Sequence, residues 1–565
     1  MKIVIVGGVG GGMSAAARAR RLSEDAEIVV LDRGEHVSFA GCGLPYHVGG
    51  EVPEGDLLVQ TPASLRASLA LDVRTRHDVV ALDTAHRSLT VRTPDGEEQI
   101  GYDALLLSPG ARAVRPPVPG LDSPRVRTLR TIADARELRA AVQGGARHAV
   151  VLGAGFIGLE AAEALASQGV DVTLVETAGH PLPPLEPELG TLVADELRHL
   201  GVTVRTGVAA TAVTHGTDHD VVDLGDGTRV DADVVVLAVG VRPDTDVFAD
   251  AGIVVEGGAI VVDERGRTSA DGIWAVGDAT VSTDAVTGSR RPVALAGPAA
   301  RAGRIVADQI LRPATARPLP TALGTAVVRV GELTAATTGA HRTALTRAGI
   351  DHRTVHLHAA HHVGWFPGAE QIHLVVHVGT GDGRVLGAQA VGRSGVDKRI
   401  DVLATAIRAG LTADDLVDLD LAYAPPFGAA KDPVNLAGMV AANTLDGTLR
   451  LWYAEDVDQV LGTALVLDVR SADEVAQRHL PDSLHVPHTE LRERLDEVVA
   501  AAAGRPVRVL CGSGVRSHLA HRILDQAGLD SASLSGGMLT LQAVLATRGS
   551  DLGGLLVAAE PALVH

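Results

Sequence analysis

His148-Ala149-Val150-Val151-Leu152-Gly153-Ala154-Gly155-Phe156-Ile157-Gly158 runs from an apolar segment into glycines spaced G-x-G-x-x-G. The apolar run predicts a buried strand, residues 153–158 a tight turn, 159–168 a helix, and 171–175 a second strand that ends at Glu176. In such a unit Gly153 makes the turn, Gly155 lets the backbone approach a pyrophosphate, and Gly158 lets helix and strand pack closely. The helix N-terminus then offers N–H groups and the positive end of its dipole to the phosphates. Glu176 stands where a carboxylate accepts from a ribose 2′-hydroxyl. No arginine follows in Thr177-Ala178-Gly179, which favours NADH over NADPH.

The same grammar opens the chain: a strand over 2–6, a turn over 7–12, a helix over 13–22 and a strand over 27–31. Gly7, Gly12 and the acidic Asp32 fall where the pattern wants them, although Val9 replaces the middle glycine. Ala15-Ala16-Ala17 imitates a signal-peptide cleavage site, but glycines interrupt the apolar run and Arg18, Arg20 and Arg21 follow, so a first strand is the better reading. Leu105-Leu106-Leu107-Ser108-Pro109-Gly110 and Val236-Leu237-Ala238-Val239-Gly240 are further strand-to-turn crossings. Gly272-Ile273-Trp274-Ala275-Val276-Gly277-Asp278 puts a carboxylate where a flavin's ribitol chain would be held.

The fold class expected is α/β: two Rossmann-like dinucleotide-binding domains, an α+β domain and a C-terminal α/β domain. The boundaries expected are 1–112 with 255–315 for a discontinuous first domain, 113–254 for the second, 321–443 for the third, a linker at 444–460, and 461–565 for the last. With 46% hydrophobic and only 2% aromatic residues among 565, the core is built from Ala, Val and Leu. Fifty basic against 69 acidic side chains leave a net charge of −19, which disfavours nucleic acid or an anionic membrane as partner. No apolar stretch is long enough to span a membrane. Two cysteines suit a reducing cytoplasm rather than a disulfide framework.

Those two cysteines carry the chemistry. Cys42 lies in Ser38-Phe39-Ala40-Gly41-Cys42-Gly43-Leu44-Pro45-Tyr46, soon after the first β-α-β unit. Cys511 opens Cys511-Gly512-Ser513-Gly514-Val515-Arg516-Ser517, between a strand and a helix. Neither has a neighbouring cysteine to pair with, so each acts with an external sulfur compound, a small thiol or persulfide. His358, His361 and His362 lack a Cys or carboxylate framework at metal spacing and read as a solvated loop, not a metal site.

The five glycine and aspartate elements together resemble the pyridine nucleotide-disulfide oxidoreductases. That resemblance implies FAD held by Gly7, Gly12, Asp32, Ser108, Gly110, Gly277 and Asp278, and NADH or NADPH held by Gly153, Gly155, Gly158 and Glu176. Most of that superfamily uses a C-x4-C redox pair. The lone Cys42 in its setting is instead similar to the coenzyme A-disulfide reductases, over residues 1–443. The resemblance implies that Cys42 forms a mixed disulfide or persulfide beside the flavin. It also implies that Ser14, Arg18, Arg21, Ser38 and Lys431 contact coenzyme A as substrate. Tyr423 would reach across a homodimer and protonate the departing thiolate. The chain departs from the family at Gly41 and Ala300, where Asn is usual, and at Trp365-Phe366, where a Tyr pair is usual.

Leu467-Asp468-Val469-Arg470, Glu474, His479-Leu480-Pro481-Asp482 and the Cys511 loop follow the order of rhodanese, which this final domain resembles. Successive N–H groups of such a loop stabilise a thiolate or persulfide, and Arg516 would hold an anionic donor or order the loop. The whole points to a reductase of coenzyme A disulfide, persulfide or polysulfide fused to a sulfurtransferase. An NADH oxidase using Cys42 as a sulfenic acid, and a flavin-containing redox sensor or sulfur carrier, remain open alternatives.

Overall fold

Alternating apolar residues decide the first sheet. In the strand Lys2–Val6, Ile3 and Ile5 join a core on one face, while Val4 and Val6 join a second core on the other. A strand buried on both sides belongs to a parallel sheet covered by helices or further chain on each face. The computed structural model shows such a sheet, ordered Ile273–Ala275, Ala104–Leu107, Lys2–Val6, Glu27–Asp32 and Asp72–Thr75, every neighbour parallel. It describes residues 1–548 and Leu556. Residues 549–555 and 557–565, the end of the C-terminal domain expected over 461–565, lie outside the described residues.

A second five-stranded parallel sheet repeats this plan: Thr203–Thr206, Asp171–Glu176, His148–Leu152, Val234–Leu237 and Val126–Arg127. Each sheet is accompanied by a three-stranded antiparallel meander, Asp78–Asp83 to Gly96–Gly101 in one case and Ala210–Thr214 to Arg229–Ala232 in the other. The predicted strands hold to within a residue or two. Both predicted helices begin three residues earlier than the sequence suggested, at Gly10 and Phe156, so the last glycine of each motif sits inside the first helical turn. There it is needed for closeness: a Cβ on Gly12 or Gly158 would lie 1.9 Å from the carbonyl oxygen of Gly7 or Gly153.

The chain divides into two compact units, Met1–Thr177 with Leu200–Gly324, and Ala178–His199 with the chain from Thr325 onward. The helix Pro187–His199, placed by sequence within 113–254, thus belongs to the second unit. That unit holds an antiparallel sheet, Ala326–Val330, Leu333–Gly339, Val385–Gly392, Gln371–Gly379 and His352–Ala360, backed by the helices Val396–Ala409 and Pro433–Leu445. It also holds a parallel sheet ordered Leu451–Trp452, Ser531–Leu534, Val507–Leu510, Leu465–Asp468 and Leu484–His485.

Two expectations change here. The stretch 444–460 is not a linker: Leu451–Trp452 is an edge strand of the last sheet, Trp452 is buried and its Nε1–H donates to Val509 O (3.1 Å), and Val457 and Val460 join the same core. His358 and His362 are not in a solvated loop. His358 lies in the strand His352–Ala360 with Nε2 facing Thr540 Oγ1 and Nδ1 facing His373 Nδ1, both at 2.8 Å, and burial pushes it well below the usual imidazole range. His362 is buried with its ring against Phe366. Among the described residues, no three His, Cys, Asp or Glu side chains group as a metal ion would require.

In the first unit the helix Ala296–Leu311 lies directly on Gly10–Leu22, close enough that a Cβ on Gly303 would stand 2.0 Å from Gly11 O. Gly303→Ala therefore lowers stability by about 2 kcal/mol, the typical cost of overpacking. Denaturant unfolding, followed by intrinsic fluorescence, checks this.

Candidate active sites

The first site is built by the turns at the carboxyl ends of the first sheet, where open parallel sheets bind ligands. Gly7 takes a φ of +97°, open to glycine without strain, and the chain then directs the N–H of Gly8 to Asp32 Oδ2 (2.7 Å). Gly34 N–H binds the other oxygen at 2.7 Å. Burial nevertheless lifts the Asp32 carboxyl above its ordinary range, outweighing those two donors. The second turn is the same device: Gly153 has φ +98°, and Ala154 N–H donates to Glu176 Oε2 (2.7 Å). Glu176, expected to face a ribose, thus also braces its own turn, with Thr177 Oγ1–H on Oε1 at 3.0 Å. A Cβ on Gly155 would meet nothing within 4 Å, leaving that backbone open to a phosphate.

A cavity of ≈ 1360 Å³ opens above the first turn. Gly7, Asp32, Ser108, Gly110, Gly277 and Asp278 line it, as expected for a cofactor site, and so do Ser14, Ser38 and Cys42. Gly12 does not line it; it serves the helix–turn contact described above. Arg130, which carries no motif signal, places its Nη2 3.2 Å from Asp278 Oδ2 at the cavity wall. Cys42 is an exposed free thiol on the short 3₁₀ turn Gly41–Gly43, and Ser38, held at φ 49° by its N–H bond to Gly8 O (2.8 Å), starts the loop that presents it. An elongated dinucleotide with a tricyclic ring system fits a cleft of this size, with the glycine turn at its phosphates and Asp32 near a ribose.

The basic residues expected nearby fare differently. Arg18 donates from both Nε (3.0 Å) and Nη2 (2.7 Å) to Asp308 Oδ1, so it is an ion-paired helix-to-helix contact and not a free phosphate ligand. Arg21 is exposed and donates to Ala17 O, one turn back. Within the second unit, Tyr423 is 48% exposed, Lys431 is exposed, and Phe427 and Trp365 are 69% and 74% exposed. That much uncovered aromatic surface on one antiparallel domain marks an interaction face.

The second site is the loop Cys511–Arg516, which leaves the strand Val507–Leu510 and enters the helix Val515–Gln526. Cys511 is buried. Its Sγ accepts from Gly514 N–H at 3.2 Å and lies 3.3 Å from Ser517 Oγ, which in turn receives Ser533 Oγ–H at 2.8 Å. Met538 N–H donates to Cys511 O at 2.8 Å and fixes the loop from below. Arg516 does not point free toward an incoming anion. Its Nη1 and Nη2 grip Glu474 Oε2 and Oε1 at 2.6 and 2.7 Å, and the guanidinium holds that carboxyl down to about 2.

Residues 1–303 match the pyridine nucleotide-disulphide oxidoreductase family, 325–434 its dimerisation domain, and 453–543 the rhodanese-like domain. The chain belongs to the pyridine nucleotide-disulphide oxidoreductases and carries a rhodanese-like domain at its C-terminal side. It is 34% identical to the coenzyme A disulfide reductase of Staphylococcus haemolyticus over 445 residues, which cover 78% of this chain and 99% of that protein. The crystal structure of reduced Bacillus anthracis CoADR-RHD superposes with a TM-score of 0.94 at 38% identity, covering 97% of this chain and 98% of the other. An NAD-dependent persulfide reductase from A. fulgidus gives 0.89 at 37% identity, covering 96% and 100%. The family implies FAD and a nicotinamide nucleotide as cofactors. Among the described residues, no helix is long and apolar enough to cross a membrane.

The ion pair at the second site has a pH signature. Because the folded carboxyl of Glu474 sits at about 2, below the ordinary ~4.3 of an unfolded Glu, its stabilising contribution is complete above pH ~4.5 and is lost as pH falls toward 2. Glu474→Gln should therefore lose less stability than the wild type between pH 5 and pH 3. Thermal unfolding across that range measures the difference.

Proposed function

We propose that this protein uses NADH to reduce coenzyme A disulfide, persulfide or polysulfide at Cys42, with Cys511 carrying sulfane sulfur for the same chemistry. The observation that carries this reading is a single free thiol at the wall of a dinucleotide-sized cavity with no second cysteine in its unit. The other sulfur of the reducible bond must then come from the substrate. The coenzyme A and persulfide assignments draw on the activities named for the relatives. Residues 1–112 with 255–315 form the FAD domain and 113–254, apart from the helix Pro187–His199, the nicotinamide domain in this reading. Two free cysteines suit work in the reducing cytoplasm.

Cys42 thiolate attacks the substrate's S–S bond, forming Cys42–S–S–R and releasing thiolate or hydrosulfide with the bond's electron pair. FAD, held by Gly7, Asp32, Ser108, Gly110, Gly277 and Asp278, would supply two-electron redox chemistry between NADH and this bond. A disulfide then yields two thiols, and a persulfide one thiol and hydrogen sulfide, with one NADH and one proton consumed in either case. Glycine-turn N–H groups hold the cofactor phosphates. The Glu176 carboxylate accepts from a ribose hydroxyl and repels a 2′-phosphate, which favours NADH. Ser14, Ser38, Arg21 and Lys431 bind the coenzyme A moiety. Tyr423, exposed on the dimerisation domain, serves the Cys42 site of a second copy in a homodimer and protonates the leaving thiolate.

Two kinetic results check this. Anaerobic NADH oxidation with coenzyme A persulfide falls by at least ~10³ in Cys42→Ser, as for loss of a covalent nucleophile, and persists in Cys511→Ser. A Cys42-independent rate, or an oxygen-dependent rate far above the thiol-dependent one, would refute it. Arg21→Ala raises the KM for coenzyme A substrates about tenfold, the loss of one charge-assisted contact, whereas Arg18→Ala chiefly lowers stability. Steady-state kinetics and thermal melts of the two variants separate these effects.

A further inference from the structure

Arg516 is the only cation in the Cys511 loop, since Gly512, Ser513, Gly514 and Val515 carry none. Both its terminal nitrogens are held by the two oxygens of Glu474, which also accepts Ser471 N–H (3.1 Å) and Ser471 Oγ–H (2.9 Å) on Oε2. The carboxylate thus belongs to a helix cap that fixes it in place. The pair stands against the loop itself: a Cβ on Gly512 would lie 3.2 Å from Arg516 Nη2 and 3.4 Å from Glu474 Oε1. The neighbouring guanidinium of Arg470 is consumed in the same way, bound to the buried Asp468 at 2.6 Å. His518, one turn into the following helix, is held below the usual imidazole range by burial.

We propose that Glu474 sets donor specificity at Cys511: by closing a two-point ion pair on Arg516 it leaves the loop without a free cation, so the site accepts sulfane sulfur from persulfides and rejects the dianion thiosulfate. This rests on the reading that Cys511 carries sulfane sulfur. With a neutral persulfide, Cys511 thiolate attacks the terminal sulfur of R–S–SH. The Cys511–S–SH bond forms as the donor S–S bond breaks, the proton stays on the transferred sulfur, and R–S⁻ leaves with the electron pair. One negative charge is carried through the step, and no oxidant or reductant is consumed. With thiosulfate the same attack expels SO₃²⁻ and gives Cys511–S–S⁻, so three negative charges crowd a pocket whose guanidinium is already paired. Glu474 acts through Arg516 and is a positioning residue.

The test uses the full-length holoenzyme without NADH. Glutathione persulfide or thiosulfate is added, and peptide mass spectrometry of quenched samples gives the rate at which Cys511 gains a sulfur atom. In the wild type, loading from persulfide exceeds loading from thiosulfate by about 100-fold or more, a typical cost of unrelieved like charge. Glu474→Gln shifts that ratio toward thiosulfate by about tenfold, the value of one freed charge contact, and adding Arg516→Gln abolishes the shift. Cys42-dependent NADH oxidation reports whether each variant is folded. Should Glu474→Gln fail to fold, the wild-type ratio still decides. Comparable loading from both donors, or an unchanged ratio in Glu474→Gln, overturns the proposal. Loading of Cys511 from neither donor overturns the sulfurtransferase reading and the proposal together.

Discussion

An acid at the end of a β-strand accepts the N–H that follows a left-handed glycine, and the first unit uses this bond twice. Gly8 N–H on Asp32 and Ala154 N–H on Glu176 are both 2.7 Å long, and the glycines before them have φ of +97° and +98°. Each bond fixes the turn so that the next N–H groups face outward at a helix start. A single charge-assisted bond of this kind is worth roughly 1.5–3 kcal/mol, but its main effect is geometric. It decides where a phosphate can sit at the cavity that Cys42 also lines. The close helix contact through Gly11 and Gly303 belongs to the same constraint, because it seats the helix whose first turn forms the cavity floor.

The two cysteines occupy opposite environments, and the difference follows from their elements. Cys42 is exposed on a 3₁₀ turn at a cavity wall, open to a bulky substrate. Cys511 is buried in a strand-to-helix loop, with Gly514 N–H and Ser517 Oγ around its sulfur. One thiol suits reduction of a large disulfide beside a cofactor. The other suits storage of a single sulfur atom.

Much of this was legible in the sequence because its signals are local. Glycine spacing, apolar runs and the closing acids placed both parallel sheets, and the loop beginning at Cys511 placed the second site. What escaped depends on long-range pairing. Arg18 looks like a phosphate ligand until Asp308, on a helix far along the chain, takes both its donors. Arg516 looks free until Glu474 closes on it. The strand Leu451–Trp452 has only two residues and carries no period to read, so 444–460 passed for a linker. His356 and His358 did carry a signal, alternating with Val355 and Leu357 as a strand requires, but the neighbouring histidines at 361 and 362 drew the reading toward a loop.

The account stands on substrate sulfur becoming covalently attached to Cys42. Intact and peptide mass spectrometry of the holoenzyme, incubated anaerobically with coenzyme A disulfide and quenched before and after NADH, tests this most directly. The account predicts a coenzyme A adduct on the peptide containing Cys42 before NADH, gone after it. An unmodified Cys42 in a protein that still turns over would contradict it.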